Sequence, residues 1–122
     1  MNRREITATG TSTGVDPLVL TFEPNGPTTG FGWDLRRVTI VDADSPQTAH
    51  DATLFIVTPG RTAPDLEPSE IADTTPCGLP AVATYSRGTI ELAPPEILQV
   101  WIYTLAAGVR VTAVAQVEED RS

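Results

Sequence analysis

The sequence predicts an all-β fold, a two-layer antiparallel β-sandwich of jelly-roll or immunoglobulin-like type with seven to eight strands. Three observations predict it. Short runs of Val, Ile, Leu, Thr and aromatic residues recur along the chain. Between them lie turn formers, with 11 prolines and 9 glycines in 122 residues. Several runs alternate apolar and polar residues with the period of two that marks a half-buried strand, and almost nothing reads as helix. The length suits one domain, divided into residues 1–14 as an N-terminal arm or edge strand, 15–118 as the sandwich and 119–122 as a charged tail.

Taken in order, Ile6 to Thr9 reads as a short first strand or part of the arm. The arm is Thr- and Gly-rich, begins with Arg3 and Arg4, and holds too little apolar material to pack by itself. It is expected to order by adding to a neighbour's sheet edge. Pro17 to Phe22 alternates cleanly, with Leu18, Leu20 and Phe22 on one face. EPNGPTTG then makes a loop, since its prolines and glycines exclude a helix. Trp33 to Val41 and Thr53 to Thr58 are the next strands, separated by the turn-rich ADSPQTAHD. PGRTAPDLEPSEIADTTPCGLP carries prolines too closely spaced for regular structure. It reads as an ordered excursion with one helical turn around Pro68 to Ala72. Ala81 to Tyr85, Thr89 to Leu92, Leu98 to Leu105 and Val109 to Glu118 complete the set. The last two read as partners joined by Ala106-Ala107-Gly108, a short hairpin loop with glycine where φ > 0 is needed.

Three of these strands have apolar residues on both faces. In GFGWDLRRVTIVDAD, Trp33 and Leu35 share one parity while Val38 and Ile40 share the other. A bulge at Arg36–Arg37 would turn both pairs inward and both arginines outward. LFIV, from Leu54 to Val57, is apolar throughout, and LQVWIYTL places Trp101, Tyr103 and Leu105 opposite Leu98, Val100 and Ile102. Cover for those outer faces comes either from the Pro-rich excursion or from another chain. An exposed patch of a few hundred Å2 is about the size of a binding site. The reading adopted is a bulge plus an outer face that is partly an interface.

Composition narrows the function. The net charge is −8 and all 8 basic residues are arginine, in no continuous stripe, so a phosphate backbone is an unfavourable partner. No apolar run reaches the ~18–20 residues of a membrane span. MNRREITATGTSTG has no apolar segment after its arginines, so it does not read as a secretory leader. One cysteine, Cys77, excludes an intrachain disulfide and reads as an inert thiol in a turn.

No motif assigns a catalyst, a metal or a cofactor. Asp42, Asp44 and Asp51 resemble a calcium loop only superficially, because Pro46 and Gln47 stand where an oxygen ligand and a glycine are required. They read as a solvated turn. His50, the single histidine, lies in that same polar turn without a nucleophile elbow anywhere in the chain. Zinc needs more nitrogen and sulfur ligands than one His and one Cys supply. Glu91 and Glu96, flanking Ala-Pro-Pro at a corner, form the best carboxylate pair for glycosidic chemistry, and they too read as a solvated turn. Trp33, Trp101, Tyr85 and Tyr103 would suit a sugar-stacking platform, against the plainer reading that they fill a core or an interface.

The Trp-led GWDLRRVTIV, the short ATLFIVTPG and the long SRGTIELAPPEILQVWIYTLAAGVRVTAVAQVEE resemble small β-sandwich accessory proteins of tailed actinobacteriophages. Where corners of that kind often read Pro-Gly-Glu, this chain has Pro94-Pro95-Glu96. The resemblance implies a non-enzymatic structural role in the virion, in capsid decoration or the tail. It also implies synthesis in the host cytoplasm, partners among other virion proteins, and self-association. It transfers no catalytic residue. Arg3, Arg4, Ile6, Trp101, Tyr103 and Leu105 are the expected contact residues. The alternative is a carbohydrate-binding or adhesion module that uses Trp101 and Tyr103; a hydrolase would require a cleft holding two close carboxylates.

Overall fold

A computed structural model describes residues 2–50, 52–58, 71–75 and 79–121. Among them the fold is all-β, without helix, and consists of two antiparallel sheets. The strands are β1 (Asn2–Thr11), β2 (Leu18–Thr21), β3 (Phe31–Asp42), β4 (Thr53–Val57), β5 (Ile71–Thr75), β6 (Ala81–Thr84), β7 (Glu91–Leu92), β8 (Gln99–Tyr103) and β9 (Arg110–Arg121). The larger sheet has the order β1-β9-β3-β6, with β7 also on β3, and the smaller has the order β2-β8-β4-β5.

The alternation read from the sequence explains the core. Across the larger sheet, Ile6, Ala115 and Val38 lie in one row, and Ala8, Ala113 and Ile40 in the next. Across the smaller sheet, Leu18, Ile102 and Leu54 form one row, and Leu20, Val100 and Ile56 another. These rows share a single buried cluster with Phe22, Trp33, Leu35 and Leu98, so the two sheets bury their apolar faces against each other in a sandwich-like arrangement. A fully buried Leu or Ile is worth roughly 1.5–3 kcal/mol. Ala115 keeps β9 thin between the larger Ile6 and Val38.

The parity conflict in β3 is resolved by a bulge. Pairing with β9 slips between Leu35 and Arg37, so Arg36 is the extra residue. Trp33, Leu35, Val38 and Ile40 are all buried, while Arg37 is exposed and Arg36 turns to the rim. Arg36 donates from Nη1 to Glu118 Oε1 at 2.5 Å and from Nε to the Tyr85 carbonyl at 3.1 Å. The bulge is therefore held by a side chain that the sequence marked only as polar.

Three expectations are corrected. The segment Val109 to Glu118 does not form a hairpin with Leu98 to Leu105, because β8 and β9 belong to different sheets. Their link, with Gly108 at φ 88°, carries the chain from one layer to the other. The β1–β2 link crosses beside it, and the two are clasped at Ser12. The Ser12 amide donates to the Val109 carbonyl at 2.9 Å, Gly108 N–H donates to the Ser12 carbonyl at 2.8 Å, and Ser12 Oγ donates to the Leu105 carbonyl at 3.2 Å. A glycine-containing loop looks the same in sequence whether it returns within a sheet or changes layer.

Second, Ile71 and Ala72, expected in a helical turn, open β5 on the edge of the smaller sheet. Pro68 to Glu70, like Cys77 and Asp51, lie outside the described residues. Third, the arm does not wait for a neighbour. Asn2–Thr11 runs in continuous register along this chain's own β9, from Asn2 opposite Glu119 to Thr11 opposite Arg110.

Candidate functional site

Two regions remain once the core is assigned: the flank of the larger sheet around β1, and a cleft at one end of that sheet. β1 is the outermost strand. Its even-numbered residues Ile6 and Ala8 point into the core, and the odd-numbered Arg3, Glu5, Thr7 and Thr9 stand on the exposed face. Only one bridge among the described residues reaches its outer edge, where Glu23 N–H donates to the Thr7 carbonyl at 3.1 Å. On its core-facing side, Gly10 lies against the Leu20 side chain, which a Cβ there would strike. The Asn2–Glu5 part is exposed throughout.

The arginines at this end differ in commitment. Arg4 donates from Nη1 to Glu119 Oε2 at 3.1 Å and lies 6.0 Å above the Trp33 ring. The same Glu119 oxygen accepts from Trp33 Nε1 at 2.8 Å, so the indole, the carboxylate and the guanidinium form one cluster over the rim of the core. Arg3 stands in register with Glu118 on the outer face, and Glu5 with Gln116.

The expected aromatic patch is not exposed. Trp101 retains 5% of its accessible surface and Leu105 4%, and Ile6 is a core residue at 1%. Trp101 lies outside the shared core cluster, on the other face of β8, where Val57 and Gln99 are also buried. Its Nε1 donates to Gln99 Oε1 at 3.0 Å, and Gln99 Nε2 donates to Thr21 Oγ1 at 3.0 Å. Both faces of β8 are thus covered within the one chain, as the apolar reading of LQVWIYTL requires, but not by a partner. Tyr103 is half-buried. The four aromatics proposed as a sugar platform are not brought together as one: Trp33 is sealed in the core, and Tyr85 and Tyr103 sit half-buried on different sheets.

The cleft has a volume of about 630 Å3 and lies where the start of β3, β7 and the end of β9 meet. Glu91 and Glu96 both line it, together with Asp34, Glu118 and Asp120, a grouping only the three-dimensional register could reveal. Most of these carboxylates are already engaged. Asp34 Oδ2 accepts from the Gly88 amide at 2.9 Å, Glu96 Oε1 from the Ala93 amide at 2.8 Å, and Glu118 from Arg36. Glu96 N–H also donates to the Ala93 carbonyl at 2.8 Å, closing the Ala93-Pro94-Pro95-Glu96 corner. Asp34 Oδ1 is buried without a hydrogen-bond partner. Among the described residues no group of three or more His, Cys, Asp and Glu side chains is placed to hold a metal ion.

The polar turn after β3 is a structural joint. Asp42 Oδ1 accepts from the amides of Asp44 and Ser45 at 2.9 and 3.1 Å, an Asx turn, and Oδ2 pairs with His50 Nε2 at 2.8 Å. The hydrogen bond from His50, reinforced by the backbone donors, holds the Asp42 carboxyl below its usual value of 3.8. His50 in turn exchanges backbone hydrogen bonds with Leu79 at 3.1 and 2.8 Å. Comparison with known proteins adds no assignment, since no family model, curated protein or solved structure matches this chain.

Proposed function

We propose that this chain is a non-enzymatic structural protein of a tailed-phage particle, attached to capsid or tail subunits as an accessory component. We read its sandwich as a jelly roll. The observation that carries this is the strand order. Terminal segments pair first, β1 with β9 and then, beyond the Ser12 clasp, β2 with β8. The chain changes layer at each of these links, as when a long two-stranded ribbon rolls up on itself. Double-sheet jelly rolls of this order serve viral capsids and lectins.

A shared architecture leaves the function open, so the choice rests on the surface. A lectin reading needs exposed stacking groups, and Trp101 is both buried and hydrogen-bonded. An assembly reading needs an accessible strand edge, which β1 supplies at Asn2–Glu5. The contact residues under this reading are therefore Arg3 and Arg4 with the adjoining β1 edge, in place of Ile6, Trp101 and Leu105. The net charge of −8 favours the solubility of free copies before assembly.

The test is fractionation of lysed, phage-producing cells on a density gradient, with an antibody raised against the purified chain. Co-migration with intact particles, in many copies each, is expected. Recovery of all the chain in the particle-free fractions would overturn the reading, and glycan-array binding that depends on an aromatic residue would replace it with the carbohydrate module.

A further inference from the structure

We infer that two copies of this chain join edge to edge through the first half of β1, antiparallel and centred on Arg4, so that the larger sheet runs through both. The inference rests on the assembly reading for its setting. Its geometry comes from three observations.

The first is the direction of the free backbone groups. Because the Thr7 carbonyl points outward to Glu23, the two-residue repeat turns the N–H and C=O groups of Arg3 and Glu5 outward as well. These belong to the exposed stretch that no described strand covers.

The second is charge. A strand that pairs with its own copy must match outward-facing residues with outward-facing residues. Centring on Arg3 would oppose Arg3 to itself. Centring on Glu5 would oppose two glutamates and would need the Thr7 groups that Glu23 already occupies. Centring on Arg4 sets Arg3 of each copy against Glu5 of the other, twice, with two backbone hydrogen bonds in each pair. A second copy is thus the occupant whose charges match the edge.

The third is the fate of Arg4, which meets its own copy at the centre. Its side chain lies on the opposite face from Arg3 and is already paired with Glu119 and seated over Trp33, so its charge is compensated within each copy.

The joined edge is short, so the dimer is weak, at the low end of specific interfaces. Sedimentation equilibrium at about 0.1–1 mM chain is the appropriate measurement. The wild type is expected to show a monomer–dimer equilibrium. Arg3→Glu and Glu5→Arg, each at an exposed position and each checked for native circular dichroism, should weaken it about tenfold or more. An equimolar mixture of the two variants should regain a dimer, because each copy then offers the charge the other lacks. A strictly monomeric wild type, a dimer indifferent to both reversals, or a mixture no tighter than its components would overturn the inference. Monomers that still co-migrate with particles would sink the dimer and leave the assembly reading standing, and dimers absent from particles would do the reverse.

Discussion

Asp42 closes β3 with hydrogen bonds to two following amides and to His50, and this fixes the sign of its pH dependence. Its carboxyl is held below 3.8, so the folded chain binds fewer protons there than the unfolded chain. The stabilisation is present in full above pH 3.8 and is lost as pH falls from that value through the lower folded one. Acid titration of urea unfolding should therefore show a loss of stability below pH 3.8 that Asp42→Asn diminishes. Trp33 makes a different kind of contribution, since its ring is buried at 1% exposure and its Nε1 is satisfied by Glu119. Trp33→Ala should cost about 3–5 kcal/mol in denaturant unfolding. At this scale the sequence was legible where polarity and parity agreed, as at Leu20 and Phe22. It was not legible at Trp101, because a large residue on the outer face of an alternating strand reads as exposed unless its cover is known. Nor could spacing reveal that the acids of β9 would meet Arg4, Arg36 and Trp33, since those contacts join residues from distant parts of the chain.

The bulge in β3 is an element-scale device. Removing Arg36 would restore an unbroken period of two and drive either Trp33 with Leu35 or Val38 with Ile40 onto the outer face. Deletion of Arg36 should abolish cooperative unfolding, as read by loss of near-ultraviolet circular dichroism. Arg36→Ala keeps the register and should cost about 1–3 kcal/mol, because Glu118, 9% exposed, then loses its cation. Ser12→Ala unfastens the paired crossovers by removing the hydrogen bond to Leu105 and the one received from Gly14, at a cost of about 1–2 kcal/mol. The bulge could be anticipated because two arginines sat between two apolar pairs of opposite parity. The layer change at Gly108 could not, because φ > 0 is required of either kind of turn. β5 was hidden by the prolines around it, which argue against a central strand but permit an edge one, where it lies.

For the whole molecule, an excess of acids over arginines concentrates around the cleft, where Asp34, Glu91, Glu96, Glu118 and Asp120 converge against Arg87. Screening this repulsion should raise the melting temperature by a few degrees as salt increases from ~0.01 to ~0.15 M, with most of the gain at the lower concentrations. The antiparallel course of β1 along β9, which sets Asn2 opposite Glu119, has a mechanical consequence. A pull on the two ends of the chain would act across the strands, along the hydrogen bonds, and break the ladder one rung after another. A load applied along the strand axis, at opposite ends of β1 and β9, would instead be shared by every rung at once. Held by its terminal segments, the protein would yield like a zip fastener, and sheared lengthwise it would hold until the whole ladder gave way together.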